Sequence, residues 1–128
     1  MRGANVCRYP YNAKVNSFGG KAMAGKLREQ EARILVLEIA ATFPNHQAST
    51  TEIKDAAPRF REFSEDDLKP SETRRNECMW QQIIGNAIGS HEKSSTSIFN
   101  RGLAVRTRDG IRVTEKGIEF LKARGRYK

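Results

Sequence analysis

Two short β-patterned runs in the last quarter of the chain, residues 102–107 and 110–114, meet at an Arg108-Asp109 tip followed by Gly110. An Asp-Gly step between β-rich runs predicts a tight hairpin, because two-residue turns favour those residue types. Side chains alternate across a strand. The alternation predicts Leu103, Val105, Ile111 and Val113 on one face and Arg106, Arg108 and Arg112 on the other. One face is suited to burial and the other to a polyanion.

The segments upstream read as helices. Between residues 27 and 43, Ile34, Leu35, Leu37, Ile39, Ala40 and Phe43 crowd a wide apolar face, punctuated by Glu29, Glu31, Arg33 and Glu38. This pattern predicts a long helix closed by Pro44-Asn45. Ser49 and Glu52 supply an N-cap and a first-turn acid for a short helix through Ile53 and Ala57, stopped around Pro58. Residues 64–68 form another capped turn, ended by Pro70. Ser71 then opens a third main helix, whose stripe of Trp80, Ile83, Ile84, Ala87 and Ile88 follows helical spacing. Gly85 and Gly89 each weaken that helix by ~1 kcal/mol relative to alanine, which points to close packing or a bend. Thr114 caps a last helix carrying Ile118 and Leu121. The order predicts a mainly α chain with a small β-hairpin (α+β), a winged helix-turn-helix. It spans residues 26–124, between a basic arm at 1–25 and a basic tail at 125–128.

The chain has 128 residues, 38% hydrophobic and 30% charged, which fits one globular domain with flexible ends. Its net charge of +8 points to a polyanionic partner. Residues 1–28 hold six Lys/Arg and no acid, and residues 101–128 hold nine Lys/Arg against three Asp/Glu. Residues 29–100, by contrast, carry eight Lys/Arg against twelve Asp/Glu. Basic ends that merely solubilise would explain the N-terminal part. Three arginines on one hairpin face instead give the C-terminal part the shape of a DNA-binding wing. The first 25 residues lack a secretory signal's apolar stretch and read as a mobile basic arm, with Met23 a second place where translation could begin. No apolar run approaches ~18 residues, so no membrane span is expected. Cys7 and Cys78 show neither a disulfide framework nor zinc spacing, and His46 and His91 add no metal motif. The expectation is a reduced, cytoplasmic, nucleoid-associated protein.

Catalytic patterns are missing. A restriction-type nuclease core needs an Asp upstream of a Glu-x-Lys to bind Mg²⁺. The only such triplet is Glu52-Ile53-Lys54, and Asp55 is the first aspartate of the chain. No phosphate-binding glycine loop, dinucleotide fingerprint or nucleophile elbow occurs. Cys78 beside Trp80 reads as a partly buried helix residue, not a nucleophile. These residues predict a protein that is not an enzyme and uses no cofactor or metal.

Residues about 27–121 resemble the N-terminal winged-helix domain of Mrr-type restriction endonucleases and related stand-alone bacterial proteins. The matching marks are residues 64–68 ahead of the third helix, and Trp80, Ala87 and Ile88 within it. Gly102-Leu103 opens the first wing strand, and residues 113–117 with Leu121 close the domain. The resemblance implies binding of double-stranded DNA as the targeting part of a restriction system, with the nuclease encoded separately. One departure is the polar, Ser-rich stretch between Gly89 and Arg101, where the family passes quickly from helix to strand. That stretch offers an added phosphate contact or a changed presentation of the third helix.

A recognition helix meets base edges through its N-terminal part. Arg74, Arg75 and Asn76 occupy that part here, with Gln81 and Gln82 a turn or two further on. Arg suits guanine, and Asn or Gln suits adenine. The alternative is a solvated surface on which the arginines pair with Glu72 and Glu77. Arg106, Arg108 and Arg112 are expected to meet phosphate or the minor groove, with Arg101, Lys116, Lys122, Arg124 and Arg126 extending the basic surface. Three functions stay open: a sequence-tolerant or modification-sensitive DNA-binding module; a transcriptional regulator, favoured by a homodimer and a symmetric footprint; and a protein- or RNA-interaction module on the same fold.

Overall fold

Helix α1 (Glu29–Ala40) forms where the apolar face is widest, and Ala32, Leu35, Val36, Leu37, Ile39 and Ala40 are all buried. Burying one such large side chain contributes roughly 1.5–3 kcal/mol, so this helix is the natural centre of the core. A Glu29–Arg33 ion pair at 3.0 Å lies one turn apart along it. The helix ends as the Thr42 hydroxyl donates to the Ile39 carbonyl at 2.7 Å, just before Pro44. The computed structural model describes residues 27–72, 76–90 and 93–127. The arm at 1–25, Cys7, Met23, Arg74, Arg75, His91 and Lys128 lie outside the described residues.

Asn45 and His46 take left-handed backbone angles, with φ of 61° and 56°. They turn the chain into a strand, β1 (Gln47–Ser49), that the helical reading does not foresee. Ser49 ends this strand and caps α2 (Thr50–Ala56). Its hydroxyl accepts from the Glu52 amide at 3.0 Å while Glu52 accepts from the Ser49 amide at 2.9 Å. Ser64 and Asp67 repeat the arrangement for the single turn α3 (Glu65–Leu68). Asp67 is buried and also accepts from the Leu27 amide at 2.7 Å, so one carboxylate pins both α3 and the chain's approach to α1.

The third main helix, α4, starts later than expected. It spans Met79–Gly85 and widens into a π-helical turn at Asn86–Ser90. Ser71 does not cap it, because Pro70 and Cys78 pair as an antiparallel bridge and the helix starts only at Met79. Ser71 itself is buried, and its hydroxyl donates to Gln82 Oε1 at 2.5 Å. Trp80, Ile84, Ala87 and Ile88 are buried as the stripe predicts, with Ile83 packed at the core's margin.

Strands β2 (Ala104–Arg106) and β3 (Gly110–Val113) form the hairpin, and β1 joins on the other side of β3. The result is an antiparallel sheet in the order β1-β3-β2. Thr114 caps α5 (Glu115–Ala123), its hydroxyl accepting from the Gly117 amide at 3.0 Å. Among the described residues the fold is therefore α+β, with five α-helices and one three-stranded sheet.

The chain's end returns to α1. Arg126 Nε donates to Glu38 at 2.9 Å and Nη2 donates to Glu31 at 2.8 Å. Burial by itself would lower the Arg126 pKa. Hydrogen bonds to the two carboxylates and their charge outweigh it, so the guanidinium is held above its ordinary value. Arg126 is thus committed to the fold, and does not extend the basic surface as expected. Arg126→Ala should lower stability by about 1 kcal/mol, the scale of a networked, partly exposed ion pair. Urea unfolding at low and high salt measures it, with the loss shrinking as salt screens the network.

Candidate nucleic-acid interface

The hairpin closes through a bond from the Thr107 amide to the Gly110 carbonyl at 2.9 Å, leaving Arg108-Asp109 as a two-residue tip. The Gly110 amide donates to Thr107 Oγ1 at 3.0 Å. The tip is held to the N-terminus of α2, where the Thr50 amide and hydroxyl donate to the Asp109 carbonyl at 2.9 and 3.2 Å.

Gly110 is not needed for a left-handed turn, since neither Asp109 nor Gly110 adopts a positive φ. A Cβ on Gly110 would stand 2.1 Å from the Ala48 carbonyl oxygen and 2.6 Å from Ser49 Cα. The glycine is there because the backbone of β1 crosses it.

The ladder pairs Ala104 with Val113, Val105 with Arg112 and Arg106 with Ile111. Directly opposed residues share a face. Ala104, Arg106, Ile111 and Val113 therefore form the inner row. Val105, Arg112 and Gln47, which opposes Arg112 from β1, form the outer one. This corrects the expected alternation at two positions. Val105 is 39% exposed and is not an anchor. Arg106 belongs to the inner row, where its Nη1 donates to the Ile88 carbonyl at 2.9 Å and its guanidinium lies 5.6 Å from the Phe99 ring centre.

The phase shift has a simple cause. Leu103 is not yet in the strand. It is buried through the preceding turn, its amide bonded to the Ile98 carbonyl at 2.9 Å, and the strand alternation starts one residue later. Arg106 thus ties the hairpin to the end of α4. Arg106→Ala should cost about 1.5 kcal/mol, the scale of a hydrogen bond from a charged donor, in thermal unfolding followed by circular dichroism.

Arg108 and Arg112 are exposed, as are Arg101, Lys116, Lys122 and Arg124. None of these six forms an ion pair with a described residue. Asp109, Glu115 and Glu119 are the exposed acids on the same stretch. Gly102, at φ +76°, carries the chain past Lys116, whose Cδ and Nζ lie 3.6 and 3.7 Å from where a Gly102 side chain would begin. Arg101 and Arg124 lie over the Phe120 ring, 5.0 and 4.3 Å from its centre. The sequence reading overlooked Phe120, although its one-turn spacing from Arg124 is a readable signal.

The helix-borne candidates fare differently. Asn76 is exposed but sits in the loop before α4 with a left-handed φ of 62°, not in a helical first turn. Gln81 Oε1 accepts from the Cys78 amide at 2.7 Å, closing the start of α4, and Gln82 accepts from Ser71. Both glutamines are half-buried, with their carbonyl oxygens committed to local structure. Glu77, offered above as a partner for the arginines, pairs with Lys54 on α2 at 2.7 Å.

Cys78 is buried and disulfide-bonded, which corrects the expectation of a reduced thiol. Among the described residues no group of His, Cys, Asp and Glu could hold a metal ion. No described helix is long and apolar enough to cross a membrane. Compared with known proteins, the chain matches no family model, no curated protein and no solved structure.

Proposed function

We propose that this chain is a non-catalytic module that binds double-stranded DNA, with residues 101–124 as its contact surface. The observation that carries the reading is the set of six exposed cations on the hairpin and α5 that make no ion pair with a described residue. Unpaired Lys and Arg displace condensed counterions when they meet phosphates, which supplies affinity without base reading. Residues 27–72, in contrast, are rich in acid, so the field is one-sided.

The order helix, strand, three helices, hairpin, helix, with a sheet arranged β1-β3-β2, supports a winged helix-turn-helix as the finer description. On this reading the hairpin is the wing. A kinship with the targeting domains of Mrr-type restriction endonucleases, acting beside a separate nuclease, remains part of the proposal. The engagement of Gln81 and Gln82 favours sequence-tolerant binding over operator recognition.

The test is fluorescence anisotropy of the full chain with a labelled duplex across a salt series. Log K should fall linearly with log salt, and Arg108→Ala/Arg112→Ala should make the slope shallower by about two. Arg106→Ala should change the slope less, because that arginine, though exposed, is engaged by the Ile88 carbonyl and the Phe99 ring. Absence of duplex binding at low salt would overturn the proposal.

A further inference from the structure

A shallow pocket of about 530 Å³ opens between the start of the hairpin and α5, lined by Arg101, Leu103, Lys116, Glu119 and Phe120. Its floor is apolar, from Leu103 and Phe120. Two cations line it, Arg101 and Lys116, and Arg124 lies over the same Phe120 ring. An aromatic face restrains a guanidinium without using its N–H donors. Phe120 therefore restrains Arg101 and Arg124 while leaving their donors available for a ligand. Lys116, folded past Gly102, adds the second charge of the lining. Glu119 is the single acid in the lining.

From this arrangement we infer that the Arg101–Lys116 pocket is a phosphate-binding site, occupied by a backbone phosphate of the duplex on which the wing tip rests. Two lining cations against one carboxylate fit an oxyanion, and the guanidinium fork matches the geometry of phosphate oxygens. The position fits as well. Strand β2 (Ala104–Arg106) separates the pocket from the Arg108-Asp109 tip, a span of roughly 10 Å at strand rise. The pocket and the tip can then reach phosphates of the same duplex. This inference rests on the proposed DNA-binding reading for the source of the phosphate, but not for the existence of the site.

The experiment follows backbone amide shifts of the ¹⁵N-labelled full chain with two probes: inorganic phosphate, and a duplex whose ends carry no terminal phosphate. With the duplex, the amides of Gly102, Lys116 and Phe120 should shift together with those of the wing tip. Arg101→Gln/Lys116→Gln should lower the salt slope by about two, and Glu119→Gln should tighten binding by removing a repulsive charge. If inorganic phosphate shifts the pocket amides and the duplex does not, the site stands, but its source is a free or terminal phosphate, and DNA binding through this surface fails. If the duplex moves the wing amides alone, the DNA-binding reading survives and the pocket inference is overturned. Pocket shifts produced by a poly-glutamate peptide and by neither phosphate probe also overturn it.

Discussion

Gly110→Ala should cost more than about 3 kcal/mol, and in a domain of ordinary stability it should largely separate β1 from the hairpin. A single added methyl does this because of what it meets. The nearest atoms are the Ala48 carbonyl oxygen at 2.1 Å and Ser49 Cα at 2.6 Å, both backbone, which cannot rotate aside. Moving β1 away breaks its pairing with β3 and pulls at Ser49, the cap of α2. The same shift disturbs Thr50, whose amide and hydroxyl hold the Asp109 carbonyl. Hydrogen exchange should show loss of protection in β1 and in the first turn of α2 ahead of global unfolding. Gly89→Ala is the matched control, because nothing lies within 4 Å of its added Cβ. It should be neutral or stabilising by up to about 1 kcal/mol, as expected for glycine replaced in a helix. Equal effects at the two positions would refute the close-contact explanation.

Gly110 also illustrates what a sequence can and cannot convey. The Asp-Gly step correctly signals a hairpin and its two-residue tip, but the usual reason, a left-handed turn, is not the one operating here. The real reason is a strand some sixty residues earlier, and β1 has only three residues and no pattern to announce it. The caps at Ser49, Ser64 and Thr114 are legible because capping is local chemistry between residues three apart. The Trp80 stripe is legible because helical periodicity is local as well.

Ser71 failed as a cap because a bridge between Pro70 and Cys78 competes with the helix, and nothing within four residues shows that bridge. Arg106 departs from its expected sheet face for a related reason, while remaining exposed. A one-residue delay in strand onset reverses every side chain that follows. Arg108, at the tip, and Arg112, on β3, lie beyond that uncertainty and remain exposed. The candidate interface thus narrows to cations whose exposure does not depend on the phase of β2.

Trp80→Ala should have the other large effect, a loss of about 3–5 kcal/mol, comparable to the whole stability of many domains of this size. Trp80 is completely buried and stacks on Phe63, with ring centres 4.3 Å apart and planes at 11°. Phe63 lies just before α3, so the indole holds the α3 turn against α4 and fills the space where both meet α1. The cavity left behind adds to the lost transfer energy. Chemical denaturation followed by circular dichroism measures the loss, and Trp80→Phe should recover much of it by keeping the ring stack. Trp80 is the only tryptophan, so its emission reports on the core alone. Duplex DNA should leave that emission unchanged in the wild type while the anisotropy of the labelled DNA rises. Quenching of Trp80 by DNA would mean that the indole meets bases, and would contradict its place in the core. A folded Trp80→Phe protein should retain the full salt slope, which separates the residue that builds the domain from the cations that contact its ligand.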